Sequence, residues 1–224
     1  MTEVVLVHGA WHGASCWDRV VDELAGRGVD AVAVELPLTG FDDDVRTART
    51  AIEACGPGVV VVGHSYGGFV ITEAAAGLPQ VGALVYIAAF MTDIGEDSMT
   101  IMADYGGTIG EALVVKEDGV WVDPDRAHEL FYGDSDAGTA RTLIDQLRPM
   151  GLGGAVAQTS EPAWKSVRST YVVCTNDRAL PPAAQRWMAA RADTVVELPT
   201  DHSPFVTRPG ELADVVVGRL DGGR

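Results

Sequence analysis

Basic residues are scarce in this chain of 224 residues: 16 Lys and Arg stand against 32 Asp and Glu, a formal charge of −16. A field of that sign opposes binding to nucleic acid or to anionic membranes, and it favours solubility. Cysteine is sparse too. Cys16, Cys55 and Cys174 are odd in number and far apart, so neither a disulfide framework nor metal-ligand spacing is present. They read as reduced, mostly buried thiols of a cytoplasmic protein. No apolar run is long enough to span a bilayer. The opening "MTEVVLVHGAW" also lacks the basic region, apolar stretch and cleavage site of a secretory leader. Internal repeats and low-complexity linkers are absent. Aromatic residues make up only 7% of the chain and apolar residues 47%, as in a globular protein with one sizeable core.

What is present is an alternation. Short Val-rich runs, "EVVLVHG", "VDAVAVELP", "GVVVVG" and "VGALVYIAAF", are separated by helical patterns. These are "SCWDRVVDELAGRG", with Ser15 as N-cap and Gly28 near the C-terminus, "DDDVRTARTAIEAC", and a helix from Tyr66 to about Leu78. Strands with so few interior charges belong to a parallel sheet covered on both faces. The rhythm breaks after Phe90. The stretch 93–160 holds scattered glycines, a hairpin pattern at "ALVVKEDGVWVD" and helical patterns at "DRAHELFYG" and "AGTARTLIDQLRP". Alternation resumes with "STYVVCT", "PPAAQRWMAARA", "TVVEL" and a last helix from Pro209 to Leu220. The expectation is an α/β core formed by 1–92 and 161–224, with 93–160 inserted as a cap. Ligands of open α/β sheets bind beyond the carboxyl ends of the strands, where such an insertion forms a roof.

Gly63, Ser65 and Gly67 fit the G-x-S-x-G nucleophile elbow, with a strand before and a helix after. A tight turn would explain the glycines alone; the strand–helix context and Gly68 favour a nucleophile. A serine hydroxyl needs a base. Of five histidines, His8 and His12 precede the serine in the first βα loop, His64 adjoins it with its side chain directed away, and His128 lies in the insertion. His202, in "LPTDHSPF", follows the last strand on the serine's edge of the sheet, and it is the expected base. Asp177, in "VVCTNDRALPP", lies beyond the preceding strand and is the expected orienting acid. Asp201 is too close in sequence to face the ring, and Asp93 stands as a second candidate. The order Ser65, Asp177, His202 is that of α/β-hydrolases. An oxyanion needs aimed donors: the N–H of Tyr66, after the nucleophile, and one from "VHGAWHGASCW", where Ala10 is preferred. His8, Gly9 and Trp11 serve equally as turn and packing residues.

With these residues placed, the chain resembles the α/β-hydrolase superfamily, most closely the branch of plant methylesterases, hydroxynitrile lyases and bacterial esterases. "HGAWHGASCW", "GHSYGG", "TNDRALPPAAQRW" and "DHSPFVTRP" carry the resemblance, which is weakest in the cap. It implies Ser65, Asp177 and His202 as the triad, and Ala10 and Tyr66 as the oxyanion-hole donors. It also implies a reduced core of about six parallel strands, because the chain enters at what is usually the superfamily's third strand. Lyase members carry threonine where this chain has Gly9 and lysine where it has Ser203, so the pattern matches the esterases. The expected activity is hydrolysis of a small or medium neutral ester through an acyl-serine, with no metal or cofactor. A C–C lyase and a non-catalytic binding protein are the alternatives. Trp11, Trp121, Phe131, Tyr132, Leu147 and Met150 are candidates for the pocket wall, each also explicable as packing. The expected partner is the small-molecule ester, with no nucleic acid or membrane and with room for a homodimer.

Overall fold

The computed structural model describes residues 3–151 and 158–220. Its strands, in chain order, are β1 (Val4–Val7), β2 (Ala31–Val34), β3 (Val59–His64) and β4 (Val81–Ile87), then a hairpin of β5 (Leu113–Lys116) and β6 (Gly119–Val122), and finally β7 (Ser169–Cys174) and β8 (Thr194–Leu198). Six of them form one parallel sheet in the order β2-β1-β3-β4-β7-β8. Position follows from sequence. The central strands β1 and β3 are buried at every residue, whereas the edge strands β2 and β8 alternate in exposure.

Successive residues of a strand face opposite sides, and the two cores divide accordingly. Val5 and Val7 pack with α2 (Phe41–Glu53), α3 (Gly67–Ala74) and α7 (Pro182–Ala189) through residues such as Ile52, Ile71 and Met188. Val4 and Leu6 pack with α1 (Asp18–Gly26) and α9 (Pro209–Leu220) through Leu24, Leu212 and Val216. No helix among the described residues is long and apolar enough to cross a membrane.

Between β4 and β7 the chain leaves the sheet. This excursion carries α4 (Ser98–Asp104), the antiparallel β5–β6 hairpin, α5 (Pro124–Phe131) and α6 (Ala137–Ile144). The carboxylates of Asp97, Asp123 and Asp136 each accept a backbone N–H at the start of one of these helices, satisfying donors that a helix leaves free. A one-turn α8 (Pro204–Thr207) follows β8. Three local expectations change. Ser15 is not an N-cap, because a 3₁₀ turn, Ala14–Trp17, leads into α1 with no side chain capping it. The helix after the elbow ends at Ala74 rather than near Leu78. Helix α4 has no counterpart in the sequence pattern.

Candidate active site

Ser65 follows the last residue of β3 and takes φ 51°, a left-handed conformation that a residue with a β-carbon adopts only under strain. The flanking glycines allow the fold-back. A β-carbon on Gly63 would stand 2.6 Å from the Gly67 carbonyl oxygen, and one on Gly67 would stand 2.6 Å from that of Val7. The strand-to-helix turn therefore needs its glycines for close approach.

His202 lies in the loop after β8 and is 2% exposed. Its Nδ1–H donates to Asp177 Oδ2 at 2.7 Å. Asp177 is itself held from every side. Oδ1 accepts the backbone N–H of Ala179 and Leu180 at 2.8 and 2.9 Å, and Oδ2 also accepts Gln185 Nε2–H at 2.7 Å. Gln185 is fully buried and anchored to the Cys174 N–H and the Leu180 carbonyl. Sequence reasoning missed it. The available signal was a polar residue on the buried face of α7, eight positions after the acid.

The other acids are engaged elsewhere. Asp201 Oδ2 accepts the N–H of Asp134 and its Oδ1 that of Ser203, and Asp93 pairs with Lys165 at the surface. Among the described residues no hydrogen bond is formed by the Ser65 hydroxyl, although Ser65 and His202 open on the same cavity. Such contacts commonly tighten only with substrate bound.

The three remaining buried histidines are structural partners of this machinery. His8 Nε2 accepts the Leu36 N–H at 3.0 Å, which puts its proton on Nδ1, where it donates to the Gly9 carbonyl at 2.8 Å. That carbonyl belongs to the peptide unit carrying the Ala10 N–H. His12 Nε2 accepts from Tyr132 at 3.0 Å, and its Nδ1–H donates to the Ala10 carbonyl at 2.8 Å. His64 Nε2–H donates to the His202 carbonyl at 2.8 Å. Burial holds all three neutral: His8 is pushed down to about 4, His12 to about 3, and His64 well below the usual range. Tyr66 is fixed through its side chain as well, its hydroxyl donating to the buried Asp44 Oδ2 at 2.7 Å. Burial raises both of these groups above their ordinary values.

The cavity measures about 150 Å³. Ala10, Ser65, Tyr66 and His202 line it together with Phe69, Phe90, Met99, Met102, Leu113 and Met150. No charged side chain lines it among the described residues. Of the six wall candidates, Trp11 and Met150 line it. Tyr132 instead bonds His12, and Phe131 stacks on Trp11 and His202 at ring distances of 5.9 and 5.7 Å. Trp121 donates to Asp118, and Leu147 packs against the core on the α1/α9 face. A larger open cleft of about 630 Å³, bordered by Asp125, Glu129, Asp134 and Asp201, contains no nucleophile. Among the described residues no cluster of His, Cys, Asp and Glu is arranged to hold a metal.

Comparison with known proteins agrees with this architecture. Residues 4–215 match the alpha/beta hydrolase family. Methylesterase 1 of Arabidopsis thaliana is 27% identical, covering 94% of this chain and 92% of its own length. Esterase PIR7B of Oryza sativa subsp. japonica is 29% identical, covering 95% and 93%. The fold is shared with tomato Methylketone Synthase I complexed with 2-tridecanone, at a TM-score of 0.84 and 22% identity, over 100% of this chain and 99% of that one. The chain belongs to the alpha/beta hydrolase family, in its methylesterase-like branch.

Proposed function

We propose that Ser65 is the nucleophile, His202 the base and Asp177 the orienting acid for hydrolysis of a small or medium neutral carboxylic ester. The protein is a serine carboxylic-ester hydrolase, in line with relatives named methylesterase and esterase. His202 Nε2 takes the Ser65 proton as Oγ attacks the carbonyl carbon. The Asp177 carboxylate keeps the other ring proton on Nδ1 and stabilises the imidazolium. Charge then develops on the carbonyl oxygen, where the N–H groups of Ala10 and Tyr66 receive it. Collapse expels the alcohol with the proton from His202, and His202 next activates water against the acyl-Ser65.

The observation that carries this reading is that the His202 of an immobilised Asp177–His202 pair and a strained Ser65 line one uncharged cavity. An uncharged wall suits a neutral ester, since burying an unpaired charge there would be costly. The segment 93–160 acts as the cap over this cavity. A cytoplasmic location is part of the same reading, supported by three free cysteines.

The test is turnover of p-nitrophenyl acetate with fluorophosphonate labelling. The unmodified protein should hydrolyse the ester and be labelled at Ser65, and Ser65→Ala should lose both while keeping its fold. Turnover by that variant within tenfold of the unmodified protein refutes the assignment. Labelling without turnover of any ester leaves a binding protein as the better description.

A further inference from the structure

The excursion grips the loop after β1 more closely than a roof requires. Trp11 takes φ 62°, a region in which a β-carbon crowds the backbone. Its carbonyl accepts the backbone N–H of Arg148 at 2.8 Å, and its indole N–H donates to the Val120 carbonyl at 3.0 Å. Both partners belong to the excursion. His12 is held the same way. Its carbonyl accepts from the Arg148 guanidinium, through Nη2 at 2.8 Å and Nε at 3.2 Å, while its ring accepts from Tyr132.

Arg148 also reaches the Leu36 carbonyl after β2 at 3.1 Å and pairs with Glu35 at 2.6 Å. Three residues on, the Gly151 N–H donates at 2.7 Å to the carbonyl of Leu38, a second left-handed residue at φ 56°. A β-carbon on Gly151 would stand 2.5 Å from the Thr39 carbonyl oxygen. The stretch 148–151 is therefore wedged between two strained loops, one of which carries Ala10.

We propose that Arg148 is a positioning residue for the oxyanion hole: it fixes the Trp11–His12 turn, so that ester turnover depends on docking of segment 148–151 against the loop after β1. The inference rests on the reading of Ala10 as an oxyanion donor. The peptide unit joining Ala10 to Trp11, whose carbonyl His12 also holds, adjoins through the Ala10 Cα the unit that carries the Ala10 N–H, so relaxation of the Trp11–His12 turn re-aims that N–H. A donor must sit about 2.7–3.1 Å from the position of the developing oxyanion, and a misplacement of about 1 Å costs roughly a hundredfold in rate. Arg148 does not itself line the cavity, although Trp11 and Met150, which its segment holds, do, so its loss should be felt chiefly in kcat, with a smaller effect on KM.

The experiment compares Arg148→Met and Arg148→Lys with the unmodified protein on p-nitrophenyl butyrate. A trifluoromethyl ketone serves as a second probe, because Ser65 converts it to a hemiketal whose oxyanion occupies the hole. Arg148→Met should lower kcat by roughly tenfold to a hundredfold, with KM within about threefold. The ketone Ki should rise by the factor by which kcat/KM falls. Arg148→Lys should fall between, since one ammonium reaches only one of the two carbonyls. It keeps the pairing with Glu35 at a site about one-third exposed (35%), so it carries the test if the methionine variant does not fold. An unchanged kcat, a loss confined to KM, or a ketone Ki that stays put while kcat falls overturns the proposal. Absence of turnover and labelling in the unmodified protein would instead overturn the esterase reading itself.

Discussion

His64, the residue before Ser65, donates its Nε2–H to the backbone carbonyl of His202 at 2.8 Å, and the two rings lie 4.6 Å apart. The turn after β3 is thus tied to the loop of His202 across 138 positions of sequence. His64→Leu would leave that buried carbonyl unpaired, at a cost of about 1–3 kcal/mol. We expect a lower melting temperature and a lower kcat, both recovered in part by His64→Gln, whose amide N–H reaches as far as Nε2. Equal melting temperatures and kcat for the leucine variant and the unmodified protein would remove His64 from this role.

Asp177→Asn should retain the fold while reversing a hydrogen bond. The amide oxygen can still face the N–H groups of Ala179 and Leu180, but the amide nitrogen then meets two donors, Gln185 Nε2 and His202 Nδ1. His202 would shift its proton to Nε2 and lose the lone pair that accepts from Ser65. Steady-state kcat should drop by roughly 10⁴. Asp93→Asn, in the surface pair with Lys165, should be mild; the opposite ranking would mean that the acid was misassigned.

Much of this was legible in sequence, because it depends on local pattern. Valine-rich runs without charge dictate buried parallel strands, and the glycines around Ser65 specify the elbow before any contact is known. What escaped depends on where distant segments meet. Gln185 is a polar residue on an apolar helix face, and nothing local says that it holds Asp177. Tyr132 and Phe131 resemble pocket lining in composition, yet the route of the excursion turns one onto His12 and the other onto Trp11 and His202. His8, His12 and His64 are core histidines whose partners are mostly backbone carbonyls, and a sequence does not display those.

The same three histidines predict acid sensitivity. Unfolded, each titrates near 6.5; folded, His8 does so at about 4 and His12 at about 3, with His64 well below 6.5, all through burial. Between pH 6.5 and 4 the unfolded chain therefore binds protons that the folded chain refuses. Stability is fully present above 6.5 and falls with pH through that window, by about 1.4 kcal/mol per unit for each histidine. Asp44 and Asp201, raised by burial, act in the opposite sense at the acid end. Urea midpoints should hold above pH 6.5 and decline steadily from there to pH 5. A flat profile would show that these histidines are protonated in the folded state.

The last prediction concerns reaction class. Cyanide leaves a cyanohydrin as an anion, and elimination in a site with little water needs a positive charge near the leaving group. The position after His202 holds Ser203, whose hydroxyl is buried without a hydrogen-bond partner among the described residues, and no cationic side chain lines the cavity among those residues. An ester instead develops its charge on the carbonyl oxygen, which the N–H groups of Ala10 and Tyr66 are positioned to receive in this reading. Ester hydrolysis should exceed mandelonitrile cleavage in kcat/KM by a wide margin. Sequence alone suggests that Gly9→Thr with Ser203→Lys would narrow the gap by adding lyase activity. The packing argues otherwise. A β-carbon on Gly9 would stand 2.9 Å from His64 Nδ1 and 2.9 Å from Ser65 Cβ, so the added threonine would displace Ser65, and a lysine at Ser203 would enter a fully buried site. The pair should narrow the ratio chiefly by lowering ester turnover. Cyanohydrin cleavage by the unmodified protein at a rate comparable to ester hydrolysis would overturn the assignment of reaction class.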